Sequence, residues 1–496
     1  MLCGRAEPVD AAANPIAADP QLRSMTEATH AAEPTEAPAA EPAEGAIEHA
    51  EAADAVRSRG PEEFRARRER FLEAISGGVA VLAAAPELVK SRDTEVIYRQ
   101  NSDFFYLTGF LEPGAVAVLT PHDDTHRFTL FVRPRDPDRE VWTGKRAGVE
   151  GARERYGADA AYPVAELDER LKSLVEPADA LWYAVQADGG AMDARMLKLL
   201  AGFRGSRPRA GKGPWDLRDP AQLLDRMRLI KEPGELALMR EAAELAARGH
   251  LAAMRAGRPG VGEWELQALL DQTFRSHSAT SGTSFPAIVG SAANGTVLHY
   301  VTNERRIEEG DLVLVDAGAE VGFYCSDITR TFPASGRFSA PQRAVYEIVQ
   351  RALEAAIDAV RPGAPAKGVH EAARRVLVQG MIDLGLLEGV PDKLIEEEKF
   401  KRFFMHNTSH WLGLDVHDPG PYTEADGEPV ALRPGMVLTV EPGLYIPESG
   451  DDIPAELRGI GIRLEDDVLV TEDGHEVLTR AVPVDPDEIE RICARS

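Results

Sequence analysis

Short apolar runs alternate with amphipathic stretches along residues 61–220 of the chain. Apolar residues at helical spacing predict helices in "PEEFRARRERFLEAI", "GVEGARERYG" and "AELDERLKSLV". Continuous apolar runs predict buried strands in "GVAVLAAA", "AVAVLTP" and "RFTLFVRP". Alternation of strands with helices is typical of an α/β domain, which we expect over residues 61–220.

A second domain is predicted over residues 225–496. The segment "GSRPRAGKGPWDLRDP" that precedes it is rich in proline, glycine and basic residues, which predicts an interdomain linker. The stretch "AQLLDRMRLIKEPGELALMREAAELAARGHLAAMRA" has a helical pattern, and Pro233 is expected to begin a second helix in it. From residue 283 onward, strands with glycine turns and two helices near 340–385 predict an α+β architecture.

Residues 1–57 differ from the rest of the chain in composition. They are rich in alanine, glutamate and proline and contain no aromatic residue. Such a segment buries too little apolar surface to offset the entropy of ordering it, which predicts a disordered tail. Met25 offers a second start of translation, a hypothesis that mass spectrometry of the native protein would test.

Charge and cysteine content narrow the function classes. The 496 residues carry a formal net charge of -26, which argues against a nucleic-acid partner because phosphate binding needs a basic surface. Three cysteines, Cys3, Cys325 and Cys493, give neither a disulfide framework nor a CxxC zinc motif. The sequence shows no apolar run of about 18 residues and no signal-peptide pattern, so we expect a cytoplasmic protein.

Two aspartates flank a predicted turn in "DLVLVDAGAEVGFYCSDITRTF". Asp316 and Asp327 are symmetric about Val321 and Gly322, so an antiparallel hairpin would place them opposite each other on one face. Facing carboxylates in an apolar hairpin repel each other, and a divalent cation would relieve that repulsion. The alternative is a shifted register in which both are surface aspartates.

Three histidines lie close together in "MHNTSHWLGLDVHD". Neutral imidazole serves both as a metal ligand and as an acid–base group, so His406, His410 and His417 are candidates for either role. The spacing is not HExxH, which makes a zincin site a poor fit. Structural histidines satisfied by hydrogen bonds are the competing interpretation for each of them.

Two glutamates occur late in the chain at the ends of apolar segments. Glu441 ends the strand of "VLTVEPGLYI", and Arg463 and Glu465 lie two apart in "GIGIRLEDDVLV", on one face of a predicted strand. Arg463 is either functional or a simple ion-pair partner of Glu465. Asp466 and Asp467 are assigned to strand-end or turn positions in contact with solvent.

Four carboxylates and one histidine form an oxygen-rich set that suits Mn, Co, Fe or Zn. The set comprises Asp316, Asp327, His410, Glu441 and Glu465. Carboxylates can bridge two ions, and a pair of metal ions suits hydrolysis of an amide bond. We therefore predict a dinuclear metal centre.

The order and context of these residues resemble the pita-bread metallopeptidases, and among them the aminopeptidase P family. The motifs that carry the resemblance are "VDAG", "SDITRTFP", "SHWLGLDVHD", "EPGLYI" and "IRLEDD", together with "YRQNSDFFYLTGFLEPGAVAVL" and "REVWTGKRAG" in the first domain. The resemblance covers about residues 61–480. It implies a creatinase-like N-terminal α/β domain and a pita-bread catalytic domain.

The resemblance also implies roles for individual residues. Two metal ions, usually manganese, would share a bridging hydroxide that attacks the peptide carbonyl, with Glu441 as general base. His299, His406 and His417 would contact the substrate, and Arg463 would orient the ligand Asp316. Asn407 stands where the family commonly has a small residue, which puts in doubt the loop around His406 rather than the metal site.

The implied substrate is a peptide with proline at its second position. Residues matching Asp103 and Trp142 reach a neighbouring subunit's site in family members, so the resemblance implies a homo-oligomer, a dimer or a tetramer. Two alternatives remain open at this point: an Xaa-Pro dipeptidase with the same ligands, and a non-catalytic pita-bread module that binds peptides. Creatinase-like enzymes share the fold but lack the metal ligands, so the intact set argues against that assignment.

Overall fold

The computed structural model describes residues 61–278 and 281–494 of the chain. The predicted disordered tail over residues 1–57, with Cys3 and Met25, lies outside the described residues. No helix within the described ranges is long and apolar enough to span a lipid bilayer. The described residues belong to one compact unit.

The N-terminal half is built around a mixed six-stranded sheet. The strands of this half are β1 (Gly78–Ala83), β2 (Val89–Ser91), β3 (Thr94–Glu95), β4 (Val116–Leu119), β5 (Phe128–Val132), β6 (Ala160–Pro163), β7 (Ala180–Trp182) and β8 (Asp216–Arg218). Its helices are α1 (Pro61–Ala74), α2 (Ser102–Thr108), α3 (Pro137–Thr143), α4 (Gly148–Glu154), α5 (Leu167–Val175) and α6 (Asp193–Ala210). The large sheet has the order β6-β5-β4-β1-β7-β8, whereas β2 and β3 pair separately.

The central strands of this sheet are buried on both faces, which explains their continuous apolar runs. Along β1, Val79 and Val81 pack into a core with α5 and α6. Ala80 and Leu82, on the other face, pack into a core that continues through the C-terminal half. The α/β architecture predicted for this part of the chain is confirmed, and its sheet is anchored to the C-terminal half by shared apolar packing.

The predicted interdomain linker is wrong. Most of the segment "GSRPRAGKGPWDLRDP" continues α6 to Ala210 and then forms β8, which pairs in parallel with β7. The three residues of β8 are exposed, so this edge strand carries no apolar pattern to reveal it. Arg207 lies over the ring of Trp215 at 3.8 Å, which ties the basic end of the helix to the turn before the strand.

The C-terminal half contains longer helices and short antiparallel strands. The helices are α7 (Ala221–Leu229), α8 (Pro233–Ala256), α9 (Glu263–Arg275), α10 (Ala340–Asp358), α11 (Lys367–Asp383), α12 (Pro391–Glu396) and α13 (Pro486–Cys493). The strands are β9 (Ser281–Thr283), β10 (Ile288–Ser291), β11 (Leu312–Asp316), β12 (Ala319–Val321), β13 (Tyr324–Cys325), β14 (Thr329–Pro333), β15 (Val437–Val440), β16 (Gly443–Tyr445), β17 (Gly461–Arg463), β18 (Asp466–Val470) and β19 (His475–Val477). Pro233 begins α8 as predicted, and α10 and α11 are the two helices expected near 340–385.

These strands form small antiparallel sheets with the orders β10-β11-β14, β13-β12-β9, β15-β18-β19 and β16-β17. Helix α8 packs against this region, and its buried His250 donates from Nε2 to the carbonyl of Ala317 at 2.9 Å. That hydrogen bond fixes the backbone immediately after Asp316. The α+β architecture predicted for the second half is therefore confirmed.

Candidate metal centre

Strand β14 brings two of the candidate ligands together through its first residue. Thr329 pairs with Asp316 on one side and forms a bridge with Glu465 on the other. The amide of Glu465 donates to the carbonyl of Thr329 at 3.0 Å. Asp316 and Glu465 therefore flank the same point of the sheet although they are far apart in sequence.

The predicted direct pairing of Asp316 with Asp327 is wrong by two residues, because Asp316 pairs with Thr329. The turn is centred between Gly322 and Phe323, both with positive φ (55° and 74°), rather than on Val321 and Gly322. Moving a turn by one residue moves the paired position by two, which keeps the same face of the hairpin. The two carboxylates still come together, because Asp316 and Asp327 line the same cavity.

The histidine segment runs beside β15, which positions His410 and Glu441. The amide of Glu441 donates to the carbonyl of Thr408 at 2.8 Å, and that of Thr439 donates to the carbonyl of His410 at 2.9 Å. His410 donates from Nδ1 to the carbonyl of Trp411 at 3.1 Å, which leaves Nε2 free to act as a ligand. This Nε2 lies 3.5 Å from Oδ2 of Asp327 and 3.7 Å from Oε1 of Glu441.

The arrangement fits divalent cations. Asp327, His410 and Glu465 each present a ligand atom within 4.8 Å of the others. The buried Oδ1 atoms of Asp316 and Asp327 have no hydrogen-bond partner among the described residues. Buried, unpaired carboxylate oxygens are costly unless a cation is present, so the donor set and its environment both match a metal site.

The pKa values of three of these carboxyl groups are displaced upward. Burial, followed by the neighbouring carboxylates, raises the pKa of Asp327 and of Glu465. Burial also raises the pKa of Glu441 to about 7, against the opposing effect of His410 and Arg463. In the absence of a cation, these groups resist being ionised together.

Arg463 forms its direct ion pair with Asp316, at 2.6 Å between Nη2 and Oδ2. Its Nε donates to the hydroxyl of Thr329 at 3.1 Å, and that hydroxyl donates to Oε2 of Glu465 at 2.7 Å. Arg463 and Glu465 do not share one strand as predicted, because β17 ends at Arg463 and β18 begins at Asp466. The break lets Glu465 cross to the edge of β14.

Tyr445 is a site residue that sequence reasoning missed. Its hydroxyl accepts a hydrogen bond from Nη1 of Arg463 at 3.1 Å and lies 2.7 Å from Nε2 of His406. His406 donates from Nδ1 to the carbonyl of Asn407 at 2.7 Å, so its Nε2 accepts from the tyrosine hydroxyl. Tyr445 ends the short strand β16 and becomes a neighbour of Arg463 only through β16–β17 pairing, which no local pattern reveals.

The assignment of Asp466 and Asp467 to solvent-exposed positions is also wrong. Both are buried in β18, with 4% and 1% of their surface exposed. Asp466 accepts from Nη2 of Arg330 at 2.7 Å. Asp467 accepts from the amide of Asp327 at 3.1 Å, so it holds the backbone of a candidate ligand.

The three candidate substrate histidines surround a cavity of about 880 Å³ that also contains the five candidate ligands. His406 lies with Nδ1 at 3.7 Å from Oε2 of Glu441, and the ring of His417 lies at 4.5 Å from that of His410. His299 and Asn407 also line the cavity. Burial lowers the pKa of His406 to about 4 and lowers that of His417, so both rings are neutral near pH 7.

Asp103 and Trp142 lie outside this cavity. Asp103 accepts from Nη1 of the buried Arg228 at 2.8 Å and lines a second cavity, of about 450 Å³, which it shares with His417. Trp142, on α3, is 85% exposed and lines neither cavity. Their expected role toward a neighbouring subunit stays a prediction.

Two family models match the chain along its length. Residues 64–182 match the N-terminal domain of aminopeptidase P, and residues 237–472 match metallopeptidase family M24. The fold and the site together thus define a metallopeptidase with an aminopeptidase P-type first domain and a pita-bread catalytic domain.

Individual relatives agree with these matches over most of the chain. The Xaa-Pro aminopeptidase of Escherichia coli K12 is 43% identical over 87% of this chain and 97% of its own length. The structure of the aminopeptidase PepP of Pseudomonas aeruginosa superposes with a TM-score of 0.85 and 45% identity over 88% of this chain and 98% of that one. A zinc-substituted E. coli aminopeptidase P in complex with product gives a TM-score of 0.83 and 42% identity over 88% of this chain and 98% of that one. The chain belongs to the aminopeptidase P family of M24 metallopeptidases and is a metal-dependent aminopeptidase.

Proposed function

We propose that this enzyme releases the N-terminal residue of peptides that carry proline at the second position. The observation that carries the proposal is the single cavity in which His299, His406 and His417 face the carboxylate cluster. The bond before proline is an imide without an N–H, so a site that recognises the ring by shape is favoured over one that grips the amide. Relatives named Xaa-Pro aminopeptidase support the same specificity.

The proposed cofactor is a pair of divalent cations, with manganese preferred. Asp316, Asp327, His410, Glu441 and Glu465 would hold them. When bound, such ions polarise the carbonyl of the substrate and lower the pKa of a water molecule. Glu441 would accept the proton of that water as general base, a role that suits a carboxylate at the rim of the cluster beside His410 and His406.

The neutral histidines and Tyr445 would position the peptide. Arg463 donates to the hydroxyl of Tyr445, and this hydroxyl donates to His406, so the three side chains form one oriented chain toward the cavity. We propose that His417 donates a hydrogen bond to the oxygen that gains charge as the carbonyl is attacked. His406, whose Nδ1 donates to Asn407 and whose Nε2 accepts from Tyr445, would contact the substrate through its ring. The free α-amine of the peptide would bind beside the carboxylate cluster, where a positive charge is favourable.

A peptide panel tests the proposed specificity. Xaa-Pro-Xaa tripeptides, matched Xaa-Ala-Xaa tripeptides and Xaa-Pro dipeptides are compared after loading the enzyme with Mn, Co or Zn, with the released amino acid measured by chromatography. We expect release from Xaa-Pro-Xaa and a large loss with alanine at the second position. Exclusive cleavage of the dipeptides would instead assign the chain as an Xaa-Pro dipeptidase, and equal cleavage of the alanine peptides would reject the proline preference.

The proposal includes a homo-oligomer in the cytoplasm. Trp142 is exposed on α3, away from its own cavity, which suits a contact with a second copy. Cys325 and Cys493 are buried free thiols, as expected in a reducing compartment. Analytical ultracentrifugation of the wild type and of Trp142→Ala tests the first part, since the variant is expected to dissociate.

A further inference from the structure

One wall of the catalytic cavity is formed by the first turn of α11, outside the carboxylate cluster. Ala366, Lys367 and His370 line the cavity there. Lys367 and His370 are three residues apart in the helix, so their side chains lie on one face. None of these residues belongs to the metal centre or to the trio of substrate histidines.

Aromatic contacts connect this wall to the centre. The ring of His406 lies 4.9 Å from that of Phe404, and the ring of Phe404 lies 5.6 Å from that of His370. His370 also has Nδ1 at 2.9 Å from the hydroxyl of Thr408, whose carbonyl accepts from the amide of Glu441. The wall is therefore held at a fixed spacing from the reacting end of the cavity.

The side chains that line the cavity also differ in charge. Lys367 and Arg463 are the two cationic side chains that line it, and Arg463 is occupied by Asp316. Lys367 forms no ion pair within 4 Å of a carboxylate in residues 61–278 and 281–494, although Glu371 follows one helical turn later. Burial and the nearby Arg374 lower the pKa of His370 to about 4, so Lys367 carries the positive charge of the wall near pH 7.

We propose that Lys367 binds a carboxylate of the peptide substrate, in the first place its C-terminal carboxylate, and so favours short peptides. The inference rests on the proposed function, since it assumes a peptide with its N-terminus at the carboxylate cluster. In that orientation the C-terminus points away from the metal ligands, toward the wall formed by α11.

The dimensions agree with a short substrate. The two ring-to-ring steps from His406 through Phe404 to His370, of 4.9 Å and 5.6 Å, are together no longer than about three residues of an extended chain, which advances about 3.3–3.6 Å per residue. A lysine side chain is long and mobile, which lets Lys367 reach carboxylates at slightly different depths. Tri- to pentapeptides therefore fit the spacing, whereas a longer chain would carry its C-terminus past the lysine.

Paired substrates test the proposal in the metal-loaded enzyme. Xaa-Pro-Ala with a free carboxylate and the same peptide as its C-terminal amide are assayed with wild type, Lys367→Gln and Lys367→Arg. A third peptide, amidated but with glutamate at its last position, reports whether a side-chain carboxylate serves instead. Lys399→Gln is the matched control, because Lys399 is exposed and does not line the cavity.

We expect Lys367→Gln to lower kcat/KM for the free-carboxylate peptide about fivefold, chiefly through KM, and to leave the amide unchanged. Lys367→Arg should retain the preference, and Lys399→Gln should behave as wild type. Equal effects on acid and amide, or no effect on either, would overturn the proposal. A loss confined to the glutamate peptide would overturn its C-terminal assignment. Failure of wild type to cleave any Xaa-Pro peptide would reject the proposed function instead, so the two failures are distinguishable.

Discussion

At the scale of single residues, the metal centre depends on partners that hold each ligand from outside it. Arg463 orients Asp316, Asp467 holds the amide of Asp327, and the carbonyl of Trp411 fixes the ring of His410. Such contacts set the direction of a ligand before a cation arrives, which lowers the ordering needed on binding. The centre is therefore sensitive to residues that never touch the metal.

Substituting a ligand and substituting a substrate histidine should have different consequences. Asp327→Ala is expected to abolish activity and to lower bound metal, because Asp327 is one of the three side chains whose ligand atoms lie within 4.8 Å of one another. His417→Ala should lower kcat by about a hundredfold while metal content stays that of wild type. Metal analysis and steady-state kinetics on the same preparations check both, with the exposed His122→Ala as control. Loss of metal in His417→Ala would contradict the assigned role.

The raised pKa of Glu441 predicts a pH dependence in the metal-free protein. Its value rises from an ordinary 4.5 when unfolded to about 7 when folded. Between pH 4.5 and about 7, Glu441 is protonated in the folded state and ionised in the unfolded state. The contribution of Glu441 to stability therefore falls as the pH rises through this range. The free energy of unfolding of Glu441→Gln, relative to that of wild type, should therefore be higher at pH 8 than at pH 5 by on the order of 2 kcal/mol, since one pKa unit is about 1.4 kcal/mol.

Urea unfolding of the two chelator-treated proteins at pH 5 and pH 8 measures this difference. Comparing variant with wild type cancels the opposing contributions of His406 and His417, whose lowered pKa values destabilise the fold as pH falls. A difference between the two proteins that does not change with pH would contradict the account.

At the scale of elements, a buried arginine joins the two halves of the molecule at the loop that carries His417. Arg228 on α7 contacts Asp103 on α2 at 2.8 Å and, in the loop, Asp415 at 2.7 Å and Asp418 at 2.5 Å. Its side chain is only 4% exposed. The network thus fixes the position of this loop relative to the first domain.

Removing this arginine should destabilise the protein strongly. Arg228→Met leaves Asp103 without its cation and takes one of two cationic partners from Asp415 and from Asp418. Breaking such a buried network typically costs about 3–5 kcal/mol. Arg226→Met is the matched control two residues away, because Arg226 is exposed and its pair with Glu424 should contribute at most about 1 kcal/mol. Thermal unfolding checks the contrast, and equal melting temperatures for the two variants would contradict it.

Elements were predicted from the sequence where an apolar pattern or a proline marks them, as in β1, β4, β5 and α8. The register of the strand pair that carries Asp316 was not predicted correctly, because the turn after β12 places Phe323 in a positive-φ conformation that its residue type does not suggest. The edge strand β8 was not predicted, because its three residues are exposed and show no apolar pattern. Tyr445 and Asp467 join the site through strand pairing between distant segments, which periodicity within one segment cannot indicate.

At the scale of the whole molecule, the chain combines a strongly acidic surface with a buried acidic centre. A formal net charge of -26 favours cations over anions near the protein as a whole. Within the catalytic cavity, carboxylates gather at the metal centre and Lys367 lies on the wall formed by α11. This polarity matches a peptide with a free amine at one end and a carboxylate at the other.

The most direct test of the metal centre's role is a metal titration of the chelated enzyme. The measured quantity is the release of the N-terminal residue from an Xaa-Pro-Xaa peptide. We expect no release without metal and full restoration as Mn²⁺ approaches two equivalents per chain, with Asp327→Ala inactive throughout. Turnover that persists in the chelated wild-type protein, or Mn²⁺ binding at two equivalents with no release of the N-terminal residue, would contradict this expectation.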